Sequence, residues 1–157
     1  MIRRCTLVSV GKPKGWVAEG SKDYTERLRR YFPVRVLEVA EEDMNRRSPE
    51  EVLSAEGRRI LNHLPKEAYV ISLDRENGKQ HPSETLALKL EDLGASGRSH
   101  VAFVLGGPLG LSPDVLQRSN ELWSFGSITL PHALARIVLL EQLYRAVKIH
   151  RNEKYHW

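Results

Sequence analysis

The sequence contains one cysteine, Cys5, so no disulfide can close within the chain and no cysteine-rich zinc site can be built. A reducing compartment is the expectation. Long apolar runs are also missing. The run Ile137-Val138-Leu139-Leu140 falls far short of the roughly 20 residues that a membrane span needs. Near the start, Arg3 and Arg4 precede an apolar stretch that breaks at Gly11-Lys12-Pro13-Lys14-Gly15, which leaves no signal-peptide core. A soluble cytoplasmic protein with no membrane partner is expected. The six histidines show no spacing of the H-E-x-x-H kind, so no metal site is expected and a metal-dependent hydrolase is a poor reading. A nucleotide hydrolase is weaker still, because no phosphate loop carrying Gly-Lys-Ser/Thr occurs. Internal repeats, low-complexity tracts and Ser/Gly linkers are absent as well.

What is present suits a single domain. The chain has 157 residues, of which 41% are hydrophobic and 28% charged, enough to bury a core without staples. Lys and Arg number 24 against 20 Asp and Glu, a formal charge of +4 that favours an anionic partner without identifying one. The β-branched run Thr6–Val10 reads as a first strand, and residues 16–31 carry Val17, Tyr24, Leu28 and Tyr31 at helical spacing until Pro33. Residues 34–40 read as a second strand. Ser48, Pro49 and Glu51 then mark a helix start with a capping box, and Val52, Leu53, Ile60, Leu61 and Leu64 form its buried stripe up to Pro65. A third strand follows over 68–73, a helix over 81–97 with Leu86, Leu90 and Leu93, and a fourth strand over 100–105. Strands alternating with helices in this way predict an α/β domain with a mostly parallel sheet and helices on both faces.

The C-terminal half is more distinctive. Gly106-Gly107-Pro108-Leu109-Gly110-Leu111-Ser112-Pro113 follows a buried strand at its carboxyl end, where open α/β sheets bind ligands. By itself this is either a tight structural turn or a ligand loop. After a short helix begun by Ser112 and Pro113, residues 122–130 read as a strand or extended stretch closed by Pro131-His132. The last helix, from Ala133 to about His150, is apolar on almost every side in its middle, which predicts a second buried face such as a subunit interface. Arg136, Glu141 and Arg145 on it have the spacing of an intrahelical ion-pair ladder. The tail from Lys148 to Trp157 interleaves basic and aromatic residues, a composition suited to phosphate contact and base stacking as well as to a solvated terminus.

Four motifs in order, Gly106-Gly107-Pro108-x-Gly110-Leu111-Ser112, Leu130-Pro131-His132-x-Leu134-x-Arg136, Glu141-Gln142-Leu143-Tyr144-Arg145-Ala146 and Asn152-x-x-Tyr155-His156, closely resemble the bacterial ribosomal RNA large-subunit methyltransferase H family of SPOUT methyltransferases. The resemblance begins at Val8-Ser9-Val10-Gly11-Lys12 and covers essentially the whole chain; Leu109 and Trp157 depart from the family pattern. It implies one SPOUT domain over 1–157, with a deep C-terminal trefoil knot spanning roughly residues 70–157. It implies an S-adenosylmethionine-dependent enzyme that methylates N-3 of a pseudouridine, position 1915 in the usual numbering of 23S rRNA, on the assembled ribosome. A homodimer is implied too. Carried over by motif, the cofactor site comprises Leu73, Gly106, Gly107, Gly126, Ser127, Ile128, Thr129, Leu130 and Pro131. For catalysis, the resemblance and residue chemistry together point to His132 as general base, Arg136 as a phosphate or anion contact, and Tyr155 and His156 as residues closing over an extruded base. The competing reading is a basic RNA-binding module of the same shape that binds no cofactor.

Overall fold

A computed structural model of the chain describes residues 1–155. Its elements are β1 (Arg4–Val10), α1 (Gly15–Leu28), β2 (Val34–Val39), α2 (Pro49–His63), β3 (Tyr69–Leu73), β4 (Lys79–Gln80), α3 (Ser83–Ala95), β5 (His100–Leu105), α4 (Pro113–Arg118), β6 (Glu121–Ser124) and α5 (His132–His150). The strands form one six-stranded sheet in the order β2-β1-β5-β3-β6-β4, and every pairing is parallel.

Strand alternation divides the apolar side chains between two cores. Cys5, Leu7, Ile71, Val101, Phe103 and Trp123 face α1, α3 and α5, meeting Leu28, Leu90 and Leu139. Val8, Val10, Val70, Ala102 and Val104 point the other way, against Ile60 of α2 and Val115 of α4. The central strands are therefore covered on both faces, which is why they read as continuous apolar runs. Burial pushes the Cys5 thiol up to about 12, so it is a packing residue and not a reactive one.

Local signals account for most boundaries. Ser48 Oγ accepts from the Glu51 backbone N–H at 3.2 Å and its hydroxyl meets the Glu51 carboxylate at 3.1 Å, with Pro49 opening the helix. Ser112 caps α4 in the same way, accepting from Val115 N–H at 3.3 Å. Two expectations change. The extended stretch over 122–130 is a strand only to Ser124, because the chain turns at Gly126 and runs on as a loop to α5. The strand at 100–105 is the fifth, since Lys79 and Gln80 form a short β4 beside Trp123 and Ser124. Two exposed polar residues carry no hydrophobic period by which to find them.

Helix α5 lies between α1 and α3. Leu139, Leu140, Leu143, Ala146 and Val147 are buried there, and a Cβ on Gly20 of α1 would come within 3.2 Å of Ile137 Cδ1, so the two helices nearly touch. Much of the apolar circumference of α5 is thus covered within the chain itself. Among the described residues, no helix is long and apolar enough to cross a membrane.

Candidate active site

The carboxyl ends of β3, β5 and β6 open onto a cleft of about 530 Å³, within the roughly 300–1,000 Å³ usual for small-molecule sites. Three loops wall it. In the first, Asp74 Oδ1 accepts from the backbone N–H of Glu76 (3.0 Å) and Asn77 (3.3 Å), while Asp74 N–H donates to Trp123 O at 2.8 Å, which ties the loop to β6.

The second wall is the glycine segment after β5. Gly110 N–H donates to Gly107 O at 3.0 Å, so the segment is a tight turn and a cleft wall at once. A Cβ on Gly106 would stand 2.3 Å from Gly110 O, so any other residue would force the turn apart. Leu109, one of the two departures from the family pattern, lies 40% exposed on this wall.

The third wall is the loop from Phe125 to Leu130. Ser124 Oγ donates to Arg75 O (3.1 Å) and accepts from Gly126 N–H (3.1 Å), and Arg75 Nη1 donates to Ser127 O (3.1 Å), bracing this wall against the first. Of the expected cofactor residues, Leu73, Gly106, Gly107, Gly126, Ile128, Thr129 and Leu130 line the cleft. Ser127 contributes its carbonyl to the brace, and Pro131 caps α5, accepting from Ala135 N–H at 3.0 Å. Phe125, Asp74, Arg75 and Glu76 are among the further lining residues and were not expected. No periodicity or motif singles out such loop residues.

His132 is the first residue of α5 and stands at the edge of the cleft. Its Nε2 lies 3.1 Å from Glu41 Oε1, in the acidic loop after β2. Glu41 escaped the sequence reading because one carboxylate in a charged loop has no distinguishing pattern. Beneath the glycine turn, Glu56 is 3% exposed; Oε2 accepts from the Glu42 backbone N–H at 2.9 Å and Oε1 has no partner. Burial raises its pKa, and a Cβ on Gly107 would meet Oε1 at 3.1 Å.

Arg136 and Tyr155, the other expected catalytic residues among those described, do not line the cleft. Arg136, one turn beyond His132, is buried; Nη1 donates to Glu38 Oε2 at 2.9 Å and Nη2 to Gly11 O at 3.2 Å. It therefore leaves the expected ladder on α5, of which only Arg145 and Glu141 remain, paired at 2.7 Å. Tyr155 packs edge-on against Tyr144 with centroids 4.9 Å apart, beneath the Arg145 guanidinium, and its hydroxyl donates to Glu141 at 3.1 Å. Burial pushes the Tyr155 phenol well above its ordinary range. At about 1.5 Å per residue, Tyr144 is roughly 18 Å along α5 from His132. His156 and Trp157 lie outside the described residues. Among the described residues, no cluster of acidic, histidine or cysteine side chains could hold a metal ion.

A sequence model of the family described as "Predicted SPOUT methyltransferase" matches residues 3–156. The chain is 64% identical to "Ribosomal RNA large subunit methyltransferase H" of Rubrobacter xylanophilus over 158 aligned positions, covering 100% of both chains. It is 42% identical to the protein of that name from Bifidobacterium adolescentis, over 98% of this chain and 99% of the relative. The Bacillus cereus relative is 44% identical over 96% and 98%. Among solved structures, a probable methyltransferase of Bordetella pertussis superposes with a TM-score of 0.57 at 16% identity, over 92% of this chain and 95% of that one. A putative methyltransferase of Legionella pneumophila, solved with S-adenosylmethionine bound, gives 0.51 at 15% identity over 92% and 66%. These likenesses carry the fold, and the full-length matches carry the family: with its parallel sheet, glycine-walled cleft and helix beginning at His132, the chain belongs to the SPOUT methyltransferases.

Proposed function

We propose that this protein is an S-adenosylmethionine-dependent methyltransferase acting on N-3 of a pseudouridine, position 1915 of 23S rRNA, in the assembled ribosome. The observation that carries this reading is the junction of the cleft with His132 and its Glu41 partner. The relatives named for ribosomal RNA methylation, one of them 64% identical over its full length, support the substrate class.

The cleft fits the cofactor. Backbone groups of the Gly106–Gly110 turn can satisfy an adenine edge, Leu73, Ile128 and Leu130 can flank its ring, and Asp74 and Glu76 offer acceptors for hydroxyl or ammonium groups. Bound S-adenosylmethionine supplies an electrophilic methyl group on a sulfonium sulfur. The protein must bring N-3 into line with it, and alignment of this kind accounts for much of the rate of a displacement. The ring N-3 is an imide N–H and has to lose its proton. Glu41 Oε1 stands 3.1 Å from His132 Nε2, a contact that would orient the imidazole, and we assign His132 as the group that takes this proton.

Tyr155 packs against Tyr144, well along α5 from His132, so we assign the tail to the cleft of a second protomer in a homodimer. The family's trefoil knot belongs to this reading.

Mass-spectrometric mapping of 23S rRNA from cells with and without the gene tests the target. Loss of the methylated pseudouridine in the deletion strain is expected, and an unchanged signal overturns the assignment. Titration with S-adenosylmethionine separates the enzyme from a cofactor-free RNA-binding module. His132→Ala should bind the cofactor normally and lose single-turnover methylation; near-wild-type turnover would remove His132 as the base.

A further inference from the structure

A second groove, of about 360 Å³, runs between α1 and the edge strand β2. Lys12 and Lys22 line it, are exposed, and join no ion pair among the described residues. Arg29 lines it too, with only a long 3.5 Å contact to Val34 O. Two carboxylates also face the groove: Glu38 is matched by Arg136, which leaves Glu26 against three cations. The surrounding stretch 12–30 holds six basic residues and three acidic ones, and one of the acids, Asp23, is paired with Arg27 at 3.0 Å. The groove is therefore an electropositive channel in a chain whose overall charge is only modestly positive.

Its floor has unused hydrogen-bonding groups. Ser21 Oγ and Arg136 Nε both belong to residues lining the groove, are buried, and have no partner. An arginine Nε–H can only donate, so its missing partner is an acceptor, which fits an anion and not a cation. At the start of α1, two residues before the groove-lining Ala18, Trp16 is 69% exposed. Cations for phosphates next to an open aromatic face for a base is the pairing by which proteins hold single-stranded RNA. Arg136 also connects the groove to the catalytic region, being one helical turn, about 6 Å, from His132.

We propose that this groove binds the sugar-phosphate backbone of the rRNA strand next to the target nucleotide, with Trp16 stacking on a neighbouring unpaired base. The proposal rests on the RNA-methyltransferase reading and names where that substrate is held outside the cleft. The groove, not the cofactor cleft, would then supply much of the affinity for the ribosome.

The test compares Lys12→Glu/Lys22→Glu with Arg58→Glu/Lys66→Glu, which makes the same change in charge on α2 and on the turn before β3. Ribosome affinity is measured across salt concentrations and S-adenosylmethionine affinity by calorimetry. The groove variant should lose about tenfold or more in ribosome affinity at low salt. Its log-log salt slope should fall by about 1–2, since each phosphate contact contributes roughly 0.7–0.9. Cofactor affinity should not change. Trp16→Ala should weaken ribosome binding about tenfold with its salt slope unchanged. If the groove variant matches the control in affinity and slope, the proposal is wrong. If wild-type protein binds ribosomes through the groove but neither binds the cofactor nor methylates, the enzyme reading fails while the groove stands.

Discussion

Gly11→Ala tests the geometry around His132 most directly. Gly11 has φ +84°, a left-handed conformation, its N–H donates to Val39 O at 2.8 Å, and its carbonyl accepts from Arg136. A Cβ placed there would stand 2.7 Å from Glu41 Oε1 and 3.2 Å from His132 Nε2. Two costs follow, and they separate experimentally. The first is conformational: an alanine in this region costs about 1–2 kcal/mol, which for a chain of this size lowers Tm by about 2–8 °C at fixed protomer concentration. The second is geometric. Glu41 is the exposed end of a flexible side chain, 48% accessible, so it swings away and leaves His132 without the carboxylate that stands beside its Nε2. General bases contribute about 10²–10⁴ in rate, and a misplacement of about 1 Å costs about 10². The expected result is a fall of roughly 100-fold in single-turnover methylation at saturating ribosome and cofactor. S-adenosylmethionine binding should stay within about twofold, because Gly11 does not line the cleft. A variant with the lower Tm but a rate within about threefold of wild type would refute a role for the pair in holding His132.

Arg136→Met should cost about 3 kcal/mol in urea denaturation, toward the low end for a broken buried pair because Glu38 is 29% exposed. Adding Glu38→Gln should recover much of it, and unchanged stability of the single variant would mean that the pair with Glu38 does not hold α5 in place. Glu56 has its pKa raised by burial, so it favours folding below the usual carboxylate range and costs stability as pH rises through the raised value. Glu56→Gln should accordingly be more stable than wild type at pH 8, with the advantage fading below about pH 4; a difference independent of pH would contradict this. Deleting residues 153–157 should abolish methylation and spare cofactor binding, whereas equal loss of both would point to folding.

Sequence patterns that act through near neighbours survived the comparison with the structure. The apolar runs at 6–10, 69–73 and 100–105 are strands because β-branched and aromatic residues covered on both faces suit only a central parallel sheet. Ser48-Pro49 and Ser112-Pro113 start helices because a hydroxyl and a fixed φ satisfy the first turn locally. By composition the glycine segment could be either a turn or a ligand loop; it was the resemblance to a family that singled out Gly106, Gly107, Ile128 and His132, which line the cleft. Three-dimensional contacts decided the rest. Arg136 has a ladder spacing on α5, yet it pairs with Glu38, 98 positions away, and with Gly11, 125 away, because the packing of α5 buries it at the ends of β1 and β2. Glu41 becomes a partner of His132, and Glu56 a buried acid under Gly107, only when loops distant in sequence converge. Residue type and spacing thus determined the central strands and the helix caps, since these depend on forces acting over a few residues. Only the tertiary structure could decide which charges meet, because strand order and helix packing set those distances.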